Sequence, residues 1–213
     1  MVIEIWSDFV CPYCYMGQIS FDQALNEFEH RDKIRVIHKS FELDPEVNHA
    51  LNETVPFVLM NKYGLNIEDI NQENIALVKQ ASTLGLSFNH LDSLRDTNTF
   101  NAHRILQYAK VQGLDDRWIK RLMKAHFTEG LFIGDPEILI SLAKEIGLNP
   151  NMIKTILSSS LYQKNVRDDQ YEAVNIGIET VPYYIFNKEF VASGALTKSE
   201  FTDILKQVWL SEA

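Results

Sequence analysis

The first residues of the chain, Met1-Val2-Ile3-Glu4-Ile5-Trp6, are almost wholly apolar and break off at Ser7-Asp8, the pattern of a buried strand that ends in a turn. Over residues 15–29, Met16, Ile19, Phe21, Ala24, Leu25 and Phe28 recur near the helical period and predict an amphipathic helix. Residues 34–41 return to strand character, with an alternation imperfect enough to predict a mixed environment. A β-α-β order whose helix is long enough to cross over implies a parallel pair joined right-handedly.

The middle of the chain changes period. Between about Pro56 and Gly177, helical stripes cover residues 67–84, 98–111, 115–127, 136–146, 150–157 and 161–176, with almost no strand pattern. Gly85, Gly113, Gly130, Gly147 and Gly177 stand where helix C-caps are expected, while Asp135-Pro136-Glu137 and Asn149-Pro150 read as N-caps followed by proline in the first turn. Strand patterns return at residues 182–187 and 189–192, joined near Asn187-Lys188 as an antiparallel hairpin. Thr197 then caps a last helix with Phe201, Ile204, Leu205, Val208 and Trp209 on one side. The expected architecture is α/β: one sheet assembled from both ends of the chain, residues 1–50 and 178–213, interrupted by a large all-helical insertion at residues 51–177.

Composition narrows the functions this framework can serve. With 46% hydrophobic and 23% charged residues over 213 positions, the chain has an ordinary globular composition and length enough for a substantial core. Twenty Lys and Arg against 29 Asp and Glu leave a formal net charge of −9, so neither nucleic acid nor an anionic membrane surface is expected as a partner. No stretch approaches the roughly 20 apolar residues of a membrane span. The opening strand lacks the basic and apolar sections of a secretory leader, and the cytoplasm is the expected compartment. The acidic pairs Asp115-Asp116 and Asp168-Asp169 read as helix-start or solvated residues, since a metal site needs several convergent oxygens.

The two cysteines of the chain concentrate the chemistry. Cys11-Pro12-Tyr13-Cys14 falls where the first strand hands over to the first helix, and Pro12 suits a first helical turn, where a missing N–H is no loss. Cys11 is then expected at the helix N-terminus, where unpaired N–H groups and the helix dipole favour a thiolate, lower its pKa and make it the attacking sulfur. Cys14, one turn on, is expected to resolve the mixed disulfide. Two blander readings stand beside this one. The pair could be half of a zinc site, although no second cysteine pair or closely spaced histidine pair accompanies it. It could also be two inert core cysteines, although proline between them at such a junction is better explained by redox chemistry.

The motif and its setting resemble a known family. An opening strand, CPYC at the next helix, a long helical insertion and Thr180-Val181-Pro182 before a late hairpin are similar to the DsbA-like branch of the thioredoxin superfamily. Asn98-Thr99-Phe100-Asn101-Ala102-His103-Arg104, Phe127-Thr128-Glu129-Gly130, the Asp135-Pro136-Glu137 helix start and Gly147-Leu148 resemble its FrnE-like proteins. The resemblance implies a thioredoxin-like fold, a cis peptide before Pro182, and a Val181-Pro182 segment that faces the active sulfurs and pairs with an extended substrate. Pro12 and Tyr13 join Val181 and Pro182 as expected substrate contacts, Tyr13 as an exposed residue. Trp6, Phe9 and Tyr13 suggest an apolar rim around the thiols, with Trp6 better suited to the core. His103 and Arg104 read as structural helix residues behind an Asn98 cap. A Pro-Tyr pair lacks the histidine of strongly oxidising DsbA proteins, which implies a milder oxidant.

The expected activity is thiol-disulfide oxidoreduction, with disulfide isomerisation as a related outcome. The expected partners are protein or small-molecule thiols and disulfides, with no bound cofactor or metal and glutathione as a redox partner. The alternatives are a glutathione-dependent isomerase or transferase of the kappa-class type and a noncatalytic binding module. The former is disfavoured by Cys11, where those relatives carry serine, and by Ser193-Gly194-Ala195-Leu196, which lacks their acidic residue. The intact CxxC disfavours the latter.

Overall fold

The computed structural model describes residues 1–48 and 53–211. Two compact units emerge, one from Met1–Leu43 with Arg167–Ala213, the other from Asp44–Val166. The expected junction at residues 50/51 lies outside the described residues. The return junction falls at Arg167 and not at residue 178, for a reason the sheet supplies below.

The first unit is built on strands β1 (Val2–Ser7), β2 (Arg35–Ser40), β3 (Tyr183–Phe186) and β4 (Phe190–Ser193), in the order β2-β1-β3-β4. β1 runs parallel to β2 and antiparallel to β3, and β3 pairs antiparallel with β4 across the Asn187-Lys188 turn. Both turn residues have positive φ, 49° and 63°, the backbone that matches a tight hairpin to strand twist. Side chains alternate across the sheet. Ile3 and Ile5 of β1 share one face with Tyr184 and Phe186 of β3. That face is closed by helices α1 (Pro12–Glu27) and α9 (Lys198–Ser211), which contribute Phe21, Ala24, Phe201, Leu205 and Val208 to the same core. Thr197 and Glu200 form a reciprocal box at the start of α9: the Thr197 N–H donates to Glu200 Oε2 at 2.7 Å, and the Glu200 N–H donates to Thr197 Oγ1 at 3.3 Å.

The opposite face of β1 and β2 carries polar contacts from helix α8 (Gln163–Asn175). Asp169 receives the Trp6 Nε1–H on its carbonyl at 3.1 Å and the Ser40 N–H on Oδ2 at 2.9 Å, while Arg167 reaches Glu42 Oε1 at 2.9 Å. These contacts explain why the return junction falls inside α8: the helix from Arg167 onward is bonded to the sheet.

Lys39 ties the same face together, with Glu172 Oε2 at 2.7 Å, Glu4 Oε1 at 3.5 Å and Asp169 Oδ1 at 3.6 Å. Burial alone pulls its ammonium down, but the Glu172 hydrogen bond and the fields of Asp169, Glu172 and Glu4 outweigh it and leave its pKa raised. A raised folded-state value means that Lys39 contributes stability fully below the ordinary lysine range, and loses it as pH climbs through the folded value. Lys39→Met is therefore expected to cost about 1–2 kcal/mol at neutral pH. In urea unfolding, its deficit against wild type should shrink above about pH 10.5, the ordinary lysine range.

The second unit holds α2 (Val55–Tyr63), α3 (Ile67–Thr83), α4 (Phe100–Val111), α5 (Asp115–Phe127), α6 (Pro136–Glu145), α7 (Pro150–Leu157) and the start of α8. Asp135 and Asn149 cap α6 and α7 as expected, with proline at the next position. Helix α4 starts two residues later than expected, and Asn98 Oδ1 accepts the Phe100 N–H at 3.0 Å. Arg104 is buried and donates to the Leu161 carbonyl at 2.9 Å, the Ser159 carbonyl at 2.6 Å and the Ile156 carbonyl, with Asn101 Oδ1 at 2.9 Å. It thus closes the C-terminal end of α7, where free carbonyls and the helix dipole favour a cation. His103, beside it on α4, is buried. Among the described residues, no helix is long and apolar enough to cross a membrane.

Candidate active site

The turn after β1 is organised by Asp8. Its Oδ1 accepts the Phe9 N–H at 2.7 Å, its Oδ2 accepts the Leu43 N–H at 2.8 Å, and its carbonyl accepts the Cys11 N–H at 3.3 Å. This turn folds Phe9 inward at 2% exposure, which corrects the expectation that it rims the thiols; Trp6 likewise lies in the core. Cys11 follows as the N-cap of α1, in extended backbone (φ −88°, ψ 113°), with Pro12 as the first helical residue. The Cys14 N–H donates to Cys11 Sγ at 3.3 Å, so a sulfur fills the capping role usually taken by a side-chain oxygen. The Cys11 Sγ–H donates in turn to the Val181 carbonyl at 3.5 Å.

Both cysteines are free and nearly enclosed, Cys11 at 4% exposure and Cys14 at 1%. Burial, followed by the Cys11 sulfur, pushes the Cys14 thiol well above the ordinary thiol range, and an Asp8 backbone contact only partly opposes this. Tyr13, at 38%, is the exposed member of the motif. Val181 and Pro182 are buried, the peptide between them is cis, and the Pro182 carbonyl accepts the Gly194 N–H at 2.9 Å. The model of the DSBA-like thioredoxin domain matches residues 2–206, which include this strand, both cysteines, the Val181-Pro182 segment and most of the last helix.

The chain belongs to the DSBA-like thioredoxin family.

Two relatives extend the match along nearly the whole of this DSBA-like chain. The uncharacterized Bacillus subtilis protein YwbO is 27% identical over 205 residues, covering 93% of this chain and 92% of its own length. The crystal structure of a probable DsbA oxidoreductase from Streptomyces coelicolor superposes with a TM-score of 0.93 at 34% identity, over 98% of this chain and 90% of that one. The cytosolic disulfide reductase DsbM from Pseudomonas aeruginosa shares the fold at a TM-score of 0.68 and 16% identity, with all of both chains covered. Together the family and the oxidoreductase neighbours support a thiol-disulfide oxidoreductase type of role.

The DSBA-like site contains two residues that the sequence alone does not single out. Gly17 lies one turn beyond Cys14, and a Cβ built there would stand 2.6 Å from Tyr184 Oη and 3.1 Å from Pro182 Cγ. Glycine is thus required for β3 and the proline to approach helix α1. Tyr184 itself is fully buried in the aromatic cluster with Phe21 and Phe201. Neither residue carries a local signature, because the approach joins segments from opposite ends of the chain. Among the described residues, no group of three or more His, Cys, Asp or Glu is arranged to hold a metal ion.

Proposed function

We propose that this DSBA-like protein is a thiol-disulfide oxidoreductase in which Cys11 is the attacking sulfur and Cys14 the resolving one. The observation that carries the reading is the position of Cys11 at the very start of α1, with the Cys14 N–H directed at its sulfur at 3.3 Å. A backbone donor and the positive end of a helix both favour negative charge on a sulfur placed there. Cys11 attacks one sulfur of a substrate disulfide, and the other sulfur leaves as a thiol. Cys14 then attacks Cys11, closing the Cys11–Cys14 bond and releasing the second substrate sulfur, so two electrons pass from the protein to the substrate.

Tyr13 and Pro12 border the sulfurs, and the Val181 and Pro182 backbone offers an extended substrate a strand to pair with. The Asn98 to Arg104 motif supports the FrnE-like branch as its place in the family. The partners are protein or small-molecule thiols and disulfides, with glutathione as a redox partner, and the compartment is the cytoplasm, where the pair rests reduced. The fold shared with a reductase described as cytosolic accords with that assignment.

The test is equilibration of the purified protein across ratios of reduced to oxidised glutathione, followed by alkylation and intact mass. A single two-electron transition, in which two free thiols disappear together, is the expected result. Thiols that only add glutathione one at a time, with no intramolecular disulfide, contradict the reading.

A further inference from the structure

Gly17 lies buried inside α1, one turn beyond Cys14, and has none of the positive φ that requires glycine at Gly64 or Gly194. Alanine is the better helix former there, so the helix itself gives no reason for glycine. The reason stands opposite. A Cβ at this position would lie 2.6 Å from Tyr184 Oη, 3.1 Å from Pro182 Cγ and 3.6 Å from Ala195 Cα. Unstrained carbon contacts need about 3.5–4.0 Å, so the first is an overlap and the second a squeeze.

Neither close neighbour can step aside alone. Tyr184 is 0% exposed, its ring centroid is 5.9 Å from that of Phe21 and 4.9 Å from that of Phe201, and its backbone is paired on both sides, with Ile5 and Ala192. The Pro182 carbonyl is held by the Gly194 N–H at 2.9 Å, in the loop that continues to Ala195. A methyl group at position 17 therefore pushes α1 as a whole away from the start of β3, because packed interiors yield by shifting elements. These two elements carry the two sides of the reactive gap. Helix α1 begins at Cys11, β3 is preceded by Val181-Pro182, and Cys11 Sγ stands 3.5 Å from the Val181 carbonyl.

We propose that Gly17 is a positioning residue: by placing no side chain between α1 and β3, it sets the spacing between the Cys11 sulfur and the Val181-Pro182 backbone, and so selects disulfides carried on an extended peptide. The inference rests on the oxidoreductase reading above. A peptide paired with the Val181-Pro182 segment presents its sulfur to Cys11 only if that spacing is right, and misplacement by a fraction of an ångström is costly for a reaction that depends on alignment. A small disulfide without a peptide group gains nothing from the strand and loses nothing when the strand moves.

The test compares two disulfides of thionitrobenzoate, one with the cysteine of a short peptide and one with 2-mercaptoethanol. In each, Cys11 loses its proton to solvent and bonds the carrier sulfur, and thionitrobenzoate leaves with the electron pair as a coloured thiolate. Gly17→Ala should slow the peptide reaction roughly tenfold or more and leave the mercaptoethanol reaction within about threefold of wild type. Tyr184 Oη has no hydrogen-bond partner, so Tyr184→Phe removes only the atom in the way. Gly17→Ala/Tyr184→Phe should therefore regain most of the lost peptide rate, measured against Tyr184→Phe alone. Should Gly17→Ala fail to fold, Gly17→Ser beside Tyr184→Phe takes its place and must show the same split between the two disulfides. An unchanged peptide rate overturns the inference, as does equal slowing of both reactions, which marks a packing role, or a double variant no faster than Gly17→Ala. A wild-type protein that reacts with neither disulfide at Cys11 instead overturns the oxidoreductase reading, and this inference with it.

Discussion

Cys11→Ser is expected to lower the rate of reduction of a disulfide substrate at least about a hundredfold, because an uncharged hydroxyl replaces the sulfur that must attack. Stopped-flow measurement with oxidised glutathione, under conditions of a single turnover, provides the check. Cys14→Ser should behave differently. Its first step survives, and a mixed disulfide at Cys11 accumulates to near stoichiometry, visible by intact mass as one glutathione adduct. The asymmetry follows from the site: Cys11 caps the helix with its sulfur toward the Val181 carbonyl, while Cys14 lies deeper at 1% exposure. Equal loss in both variants, with no trapped adduct in either, would contradict the assignment of roles.

Arg104→Ala is expected to destabilise the helical unit by about 3–5 kcal/mol, among the largest effects of any single substitution outside the apolar core. Arg104 is 2% exposed, and its guanidinium supplies donors to three carbonyls around the end of α7. Truncation leaves those acceptors without their charged donor and opens a void beneath the helix. Arg104→Lys should recover little of the loss, because one ammonium cannot reproduce the planar fork that spans Ile156, Ser159 and Leu161. Urea unfolding followed by far-UV circular dichroism measures both variants, and a change under 1 kcal/mol in the alanine variant would refute the capping role.

Much of the fold was legible because its signals are local. Caps at Asp135, Asn149 and Thr197 act within three residues of themselves, and the α5 and α7 stripes bury Trp118, Leu122, Ile153 and Ile156 along one side. Helix α2 gave no such stripe. Phe57, Met60 and Tyr63 are 48%, 42% and 58% exposed, and Pro56 is its one buried residue, so no apolar face sets a period. The CPYC motif likewise declared its helix N-terminus through proline chemistry. What stayed hidden depends on distance along the chain: the bonds from α8 to the sheet, the Gly17 approach to Tyr184, and the bond from the Leu43 N–H to the Asp8 carboxylate. Each is set by register between segments far apart in sequence, which no window of neighbouring residues contains.

The same separation affects how the protein is made. Cys11 and the carbonyl that faces it stand 170 residues apart, and β1 cannot sit between β2 and β3 until the hairpin has been synthesised. At about 5–20 residues per second, a ribosome needs roughly 10–30 s to cover that interval. Throughout it, the emerging chain displays a pair of thiols before the wall that will enclose them has been translated. Any oxidant at the tunnel exit therefore meets these sulfurs in a more open setting than the finished molecule ever offers, and the speed of elongation sets how long that window stays open.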